Sequence, residues 1–149
     1  LHDSIRKTAG ALEGVAAKKD IHFDLELSDT EPLWVSGDKD KIQQVLHNLM
    51  DNAVKFSHEG SSILISTREK GNRVFVSVKD SGIGIPKDDL GKIFERFYKT
   101  DLSRGKDKLG TGLGLSICKE IITAHKQNLD VVSTEGVGSE FVFTLTKET

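Results

Sequence analysis

Apolar residues recur at helical spacing from Ile5 to about Ala17, with Ile5, Ala9, Leu12 and Ala16 on one side of the predicted helix. After Lys18-Lys19-Asp20 the period shortens. Ile21, Phe23, Leu25 and Leu27 alternate with polar residues, which predicts a half-buried strand. Asp29 to Pro32 reads as a turn and Leu33-Trp34-Val35 as a short strand. A long helix follows, with Asp38 at its N-cap and Lys41 where a capping box would carry Glu. Ile42, Val45, Leu46, Leu49, Met50, Ala53 and Phe56 fall on its core side, and His58-Glu59-Gly60 ends it.

Ile63–Thr67 and Arg73–Val78 predict antiparallel strands joined near Gly71-Asn72, a hairpin signal. Between Gly82 and Gly112 regular patterning fades, with one short helical piece expected after Pro86 through Leu90 and Ile93. So long a poorly patterned connection in a compact domain is either functional or disordered. Leu113 to about His125 reads as a last helix with Leu115, Ile117, Ile121 and Ile122 inward. Leu129–Ser133 and Glu140–Leu145 close the chain as strands around Gly136-Val137-Gly138. The order α-β-β-α-β-β-loop-α-β-β predicts a two-layer α/β (α+β) sandwich. About three helices pack on one face of a mixed, mostly antiparallel sheet, whose other face stays partly solvated.

A chain of 149 residues suits a single domain, large enough for a core without cross-links. A formal net charge of −2 argues against a nucleic-acid partner, which would call for a basic excess. Cys118 is the only cysteine, which excludes an intrachain disulfide and a paired-cysteine zinc site. None of His2, His22, His47, His58 and His125 belongs to a metal-ligand cluster by spacing. No stretch is apolar enough to span a bilayer and no signal-peptide pattern opens the chain. Because it starts at Leu1, the chain is read as a fragment, a cytoplasmic domain of a protein whose membrane anchor would lie outside it.

Three stretches carry chemistry. In Asn48–Phe56, positions 48, 52 and 55 fall within roughly 60° on a helix, so Asn48, Asn52 and Lys55 form one polar stripe. An Asn carbonyl suits Mg2+, which keeps waters and takes further oxygens from phosphates, and Lys55 suits phosphate oxygens. A solvated helix face carries the same stripe. In Asp80-Ser81-Gly82-Ile83-Gly84-Ile85-Pro86, a carboxylate at a strand end could accept from the exocyclic amine of adenine. The glycines admit close backbone approach, and a plain turn would carry them too. In Gly110–Leu115, a Gly-x-Gly-x-Gly run opens a helix after a Lys- and Arg-rich segment, where free amides and the helix dipole can bind phosphate. A dinucleotide fingerprint needs a strand before its glycines, and here a charged loop precedes them. Walker A needs Lys where Thr111 stands.

With these residues in this order, the chain resembles the catalytic and ATP-binding domain of bacterial sensor histidine kinases, within the gyrase, heat-shock chaperone, histidine kinase and MutL-like ATPase superfamily. Asn48–Phe56 resembles its N box, Asp80–Pro86 its first glycine box, Ile93–Tyr98 its F box and Gly110–Leu115 its second glycine box; the likeness runs from about Leu1 to Leu145. The resemblance implies ATP and Mg2+ as cofactors. Asn52 would hold the metal, Asp80 would read adenine and Phe56 would pack beside the base. Asn48, Lys55, Gly82, Gly84, Ile85, Gly110, Thr111, Gly112, Leu113 and Gly114 complete the implied nucleotide site. Residues 84–112 correspond to a flexible ATP lid, with Lys99, Arg104 and Lys108 as candidates for phosphate contact. Asn48, Lys55 and Lys99 are the expected catalytic residues. Lys99 stands where many members have Arg, a point charge in place of a planar fork. Phe94 and Phe97 are expected to anchor the lid by packing.

Asn48 selects among these relatives. The gyrase-like and chaperone-like ATPases carry Glu there, where it activates water, and Asn cannot act as a general base. The implied activity is therefore transfer of the γ-phosphoryl group to a histidine on a separate dimerisation domain of the same two-component sensor kinase. The partners would be that domain and, through the whole kinase, a response regulator, with the full-length protein a homodimer. The alternatives are a regulatory module, such as a serine kinase that restrains a sigma factor, and a conformational ATPase. His2-Asp3 briefly resembles an acceptor motif, but only 45 residues lie between His2 and Asn48, too few for the family's two-helix hairpin. His2 is expected at the surface, and the acceptor outside this chain. The turn after the last helix, His125-Lys126-Gln127-Asn128, lacks the family's glycines, so Asn128 or Lys126-Gln127 must make it.

Overall fold

Residues 1–95 and 114–148 are described in this computed structural model. In chain order they form α1 (His2–Ala17), β1 (His22–Glu26), β2 (Val35–Ser36), α2 (Lys39–Phe56), β3 (Ser62–Lys70), β4 (Arg73–Asp80), α3 (Gly114–Ala124), β5 (Leu129–Thr134) and β6 (Gly138–Lys147). The strands make one sheet in the order β1-β3-β4-β6, and the far edge of β6 is shared by β5 and β2. Among the described residues only β1 and β3 pair in parallel; their other pairings are antiparallel.

The period of two decides which face is core. Ile63, Ile65 and Thr67 of β3, Val74, Val76 and Val78 of β4, and Phe141, Phe143 and Leu145 of β6 are all buried on one side. The register puts Ile65 opposite Val78 and Val76 opposite Phe143, so the three strands present one continuous apolar surface. Ser66, Phe75, Ser77 and Val142 line the other face, half-buried, with the Arg68 guanidinium 5.3 Å from the Phe75 ring centre. The helices cover the apolar side. α2 lies in the middle, touching α1, α3 and β4, and buries Ile42, Val45, Leu46, Leu49, Met50, Ala53 and Val54. Its start is fixed as expected, with the Asp38 carboxylate accepting the Lys41 amide at 3.1 Å.

Several local expectations are corrected. His2 is buried, because α1 begins at His2 and the residue three before Ile5 shares its inward face. Its ring nitrogens bond Glu31 Oε2 at 2.8 Å and Thr67 Oγ1 at 2.9 Å. Phe56, in the last turn of α2, is half-buried, and Val54 occupies the core instead. The strand expected at Leu33-Trp34-Val35 shifts to Val35–Ser36, with Leu33 buried and Trp34 65% exposed. The helical piece after Pro86 shrinks to a 3-10 turn over Lys87–Asp89. In α3 the small residues Ser116 and Cys118 are buried, while Leu115 and Ile117 are half-buried at its flanks. The turn after α3 is as expected: of the two choices it uses Lys126-Gln127, with Lys126 left-handed at φ +60°.

Candidate functional site

The candidate site gathers at one end of the sheet, where β4 stops beneath the C-terminal turn of α2. Alternation puts Asp80 on the same face as Val74, Val76 and Val78, so a carboxylate ends a row of valines and is itself 6% exposed. Its Oδ1 accepts the Gly82 amide at 2.9 Å and the Ser139 amide at 3.3 Å. No hydrogen bond to its Oδ2 occurs among the described residues. Burial pushes the Asp80 carboxyl above its ordinary value, opposed by the two backbone hydrogen bonds and by His58. A desolvated carboxylate with one oxygen anchored and one open is a rigid acceptor for a ligand donor.

The loop after Asp80 is held from two sides. The Ile83 amide donates to Phe56 O at 3.1 Å, so the loop docks on the end of α2. A Cβ at Gly82 would come 2.0 Å from that same Phe56 carbonyl oxygen, so only glycine permits this approach. From the other side, the Gly136 amide donates to Ile83 O at 2.7 Å and the Ile85 amide to Ser133 Oγ at 2.8 Å. Gly84 lies at φ +70°, where a Cβ would also sit 2.2 Å from Thr134 O. The sequence singled out Gly82, Gly84 and Ile85 but not Ser133 and Ser139, which the structure places against the same loop. Their signal was a small polar residue on each side of Gly136-Val137-Gly138, directly opposed in register.

Along α2, Asn48, Asn52 and Lys55 are all half-buried beside the apolar stripe. Asn48 Nδ2 donates to Gly114 O at 3.5 Å, tying α2 to the first turn of α3. Lys55 Nζ stands 3.3 Å from Asp51 Oδ2, one turn back. Phe56, half-buried, ends the helix directly above the Asp80 loop. The structure thus brings Asp80, Gly82, Gly84, Ile85 and Phe56 together, and sets Asn48 against Gly114. Lys99, Arg104, Lys108, Gly110, Thr111, Gly112 and Leu113 lie outside the described residues, as does Phe97. Phe94 packs edge-on against Phe141, ring centres 6.4 Å apart, and Lys119 Nζ lies 5.2 Å from its ring centre.

Among the described residues no group of three or more His, Cys, Asp or Glu side chains could hold a metal. A neutral amide such as Asn52 suits a cation that brings its own waters and shares phosphate oxygens. No helix among the described residues is long and apolar enough to cross a membrane.

The model of the family described as histidine kinase-, DNA gyrase B-, and HSP90-like ATPases matches residues 37–149. Sensor histidine kinase WalK of Bacillus subtilis (strain 168) is 45% identical over 127 residues, which is 84% of this chain and 21% of that protein. The chain thus spans about a fifth of the length of the curated relatives it matches. The catalytic domain of histidine kinase ThkA superposes with a TM-score of 0.84 at 36% identity, covering 99% of this chain and 92% of that one. ThkA in complex with response regulator protein TrrA gives 0.81 at 34% identity, over 99% and 40% of the two chains. Full-length ShkA in complex with AMPPNP gives 0.84 at 30%, over 99% and 30%.

Proposed function

Since this chain belongs to the histidine kinase-, DNA gyrase B-, and HSP90-like ATPase family, we propose that it binds Mg-ATP and transfers the γ-phosphoryl group to a histidine of a dimerisation domain in the same two-component sensor kinase. The observation that carries this reading is the Asp80 carboxylate, desolvated at the end of β4 with Oδ1 engaged and Oδ2 open. Adenine offers the matching donor in its exocyclic amine, with Phe56 alongside to cover the base and the backbone around Gly82 and Gly84 close enough to follow the ring. The AMPPNP complex of ShkA supports an adenine nucleotide here.

Asn52 would take the Mg2+ through its carbonyl oxygen. The metal, when bound, neutralises charge on the phosphates. Lys55, whose ammonium stands 3.3 Å from Asp51 Oδ2, would supply a point charge to phosphate oxygens. Lys99, Arg104, Lys108 and the amides of Gly110, Thr111, Gly112, Leu113 and Gly114 would complete the phosphate contacts. Asn48 holds α2 against α3 and, lacking a carboxylate, takes no proton from water. The chain therefore positions ATP for an incoming nucleophile instead of hydrolysing it. The nucleophile, a histidine on a separate two-helix domain, the response regulator downstream, the homodimeric state and a cytoplasmic setting all belong to the parent kinase in this reading.

The test is a single-turnover reaction with γ-labelled ATP and an added two-helix histidine domain. Acid-labile phosphohistidine is expected. Label on serine alone, or only free phosphate, overturns the reading.

A further inference from the structure

The hydroxyl of Ser133 stands where β5, β6 and the Asp80 loop meet. It accepts the Ile85 amide at 2.8 Å, donates to Gly138 O at 3.1 Å and lies 2.7 Å from Ser139 Oγ. One hydroxyl has one proton and two acceptor lone pairs. With its proton on Gly138 O, Ser133 takes the Ile85 amide and the Ser139 hydroxyl, and its capacity is filled. Ser139 in turn gives its amide to Asp80 Oδ1 at 3.3 Å. Ser133 thus ties Ile85, beyond Gly84, to the residue whose backbone amide holds the Asp80 carboxylate.

We infer that Ser133 is a positioning residue for nucleotide selection: it fixes the Asp80 loop and the carboxylate's orientation without touching the nucleotide. This rests on the proposed ATP-binding role. Removing the hydroxyl leaves the Ile85 amide without its partner, so the loop that carries Gly82 loosens. The Gly82 amide orients Asp80 Oδ1, and with the loop loose the donor-reading oxygen loses its fixed direction. The loss should fall on nucleotides that offer an amine at the purine 6-position, because only they use that oxygen as an acceptor.

The test measures calorimetric affinities for ATP and for inosine triphosphate, which lacks the amine. The proteins compared are the wild type, Ser133→Ala, Ser133→Thr and Gln127→Ala. Gln127 bonds Thr144 and Thr146 at the other end of β6, so its variant reports destabilisation away from the site. Ser133→Ala should bind ATP about tenfold more weakly and lose most of the preference over inosine triphosphate. Ser133→Thr should recover both, and Gln127→Ala should keep the wild-type ratio. An unchanged ratio in Ser133→Ala, or an equal loss for both nucleotides, overturns the inference. If Ser133→Ala does not fold, Ser133→Thr against the near-isosteric Ser133→Val carries the same comparison. Amide exchange separates the two readings. Ile85 should be protected in the unliganded wild type and lose that protection in Ser133→Ala, whatever nucleotide binds. Wild-type protein that ignores ATP overturns the proposed function. Ile85 protection that survives the substitution overturns this inference alone.

Discussion

Asp80 and Ser139 face each other at the end of the β4–β6 pairing, and the Ser139 amide donates to Asp80 Oδ1 at 3.3 Å. The carboxylate is thereby oriented before any ligand arrives, while its burial raises its pKa. A carboxyl whose folded value lies above its unfolded one costs nothing while both states are protonated. It weakens the fold increasingly as pH rises from 3.8, the unfolded value, through the folded one.

Asp80→Asn should therefore raise the thermal midpoint of the unliganded protein at pH 7, by about 3 °C for each kcal/mol recovered. The amide oxygen can still accept from Gly82 and Ser139. The same variant should lose its preference for ATP over inosine triphosphate. A folded variant that melts below wild type would contradict the desolvation account.

Acid should act in the opposite sense through the surface. Glu31 is held at about 2, chiefly by its hydrogen bond from Arg6 and then by His2, and Glu69 at about 2 chiefly by Lys147 and then by Thr30 and Ser28. Such groups contribute stability above their unfolded value of 4.5 and lose it as pH falls through about 2. Melting curves between those limits should show a falling midpoint. Glu31→Gln should flatten the fall modestly, and more at low salt than at high salt, as expected for exposed pairs. An unchanged acid limb would remove Glu31 from the account.

Helix α1 carries Gly10 and Gly14 on its solvent side, and a Cβ at either meets nothing within 4 Å. Alanine there lowers the backbone entropy lost on folding. Each of Gly10→Ala and Gly14→Ala should add about 0.5–1 kcal/mol, read as a higher urea midpoint at unchanged slope. A fall would mean that this face is shaped around something other than water.

Asn52→Ala should abolish the difference between nucleotide affinity measured in excess Mg2+ and in chelator, with the wild type binding more tightly in Mg2+. Retention of the full metal dependence would show that another residue supplies the oxygen.

The layers of the fold were legible because its patterns are strong. The long stripe from Ile42 to Ala53 and the alternation in β3, β4 and β6 each match one period over many residues. Short segments fared worse. Leu33-Trp34-Val35 reads as a strand by composition, yet pairing with Thr146 and Lys147 selects Val35 and Ser36. His2 was misplaced because a histidine at a helix start looks solvated until Glu31 and Thr67 arrive from distant segments to bond it. In the candidate site, Asp80 and its glycines were legible as candidates because they are contiguous. Ser133 and Ser139 were not, because a serine near a hairpin turn has many ordinary uses and their roles exist only once β5 and β6 pair.

Cys118 is the only thiol in the chain, fully buried, with Sγ 3.8 Å from Val45 O between α3 and α2. Burial raises the thiol to about 12, so in the closed protein it is neither ionised nor reachable at neutral pH. Its labelling by a thiol reagent must then wait for α2 and α3 to part, which makes the rate a single-site clock of that opening. Asn48 already bridges these helices through Gly114. Anything that holds the two helices together would slow the clock, so one ordinary cysteine can time how firmly α2 and α3 are joined.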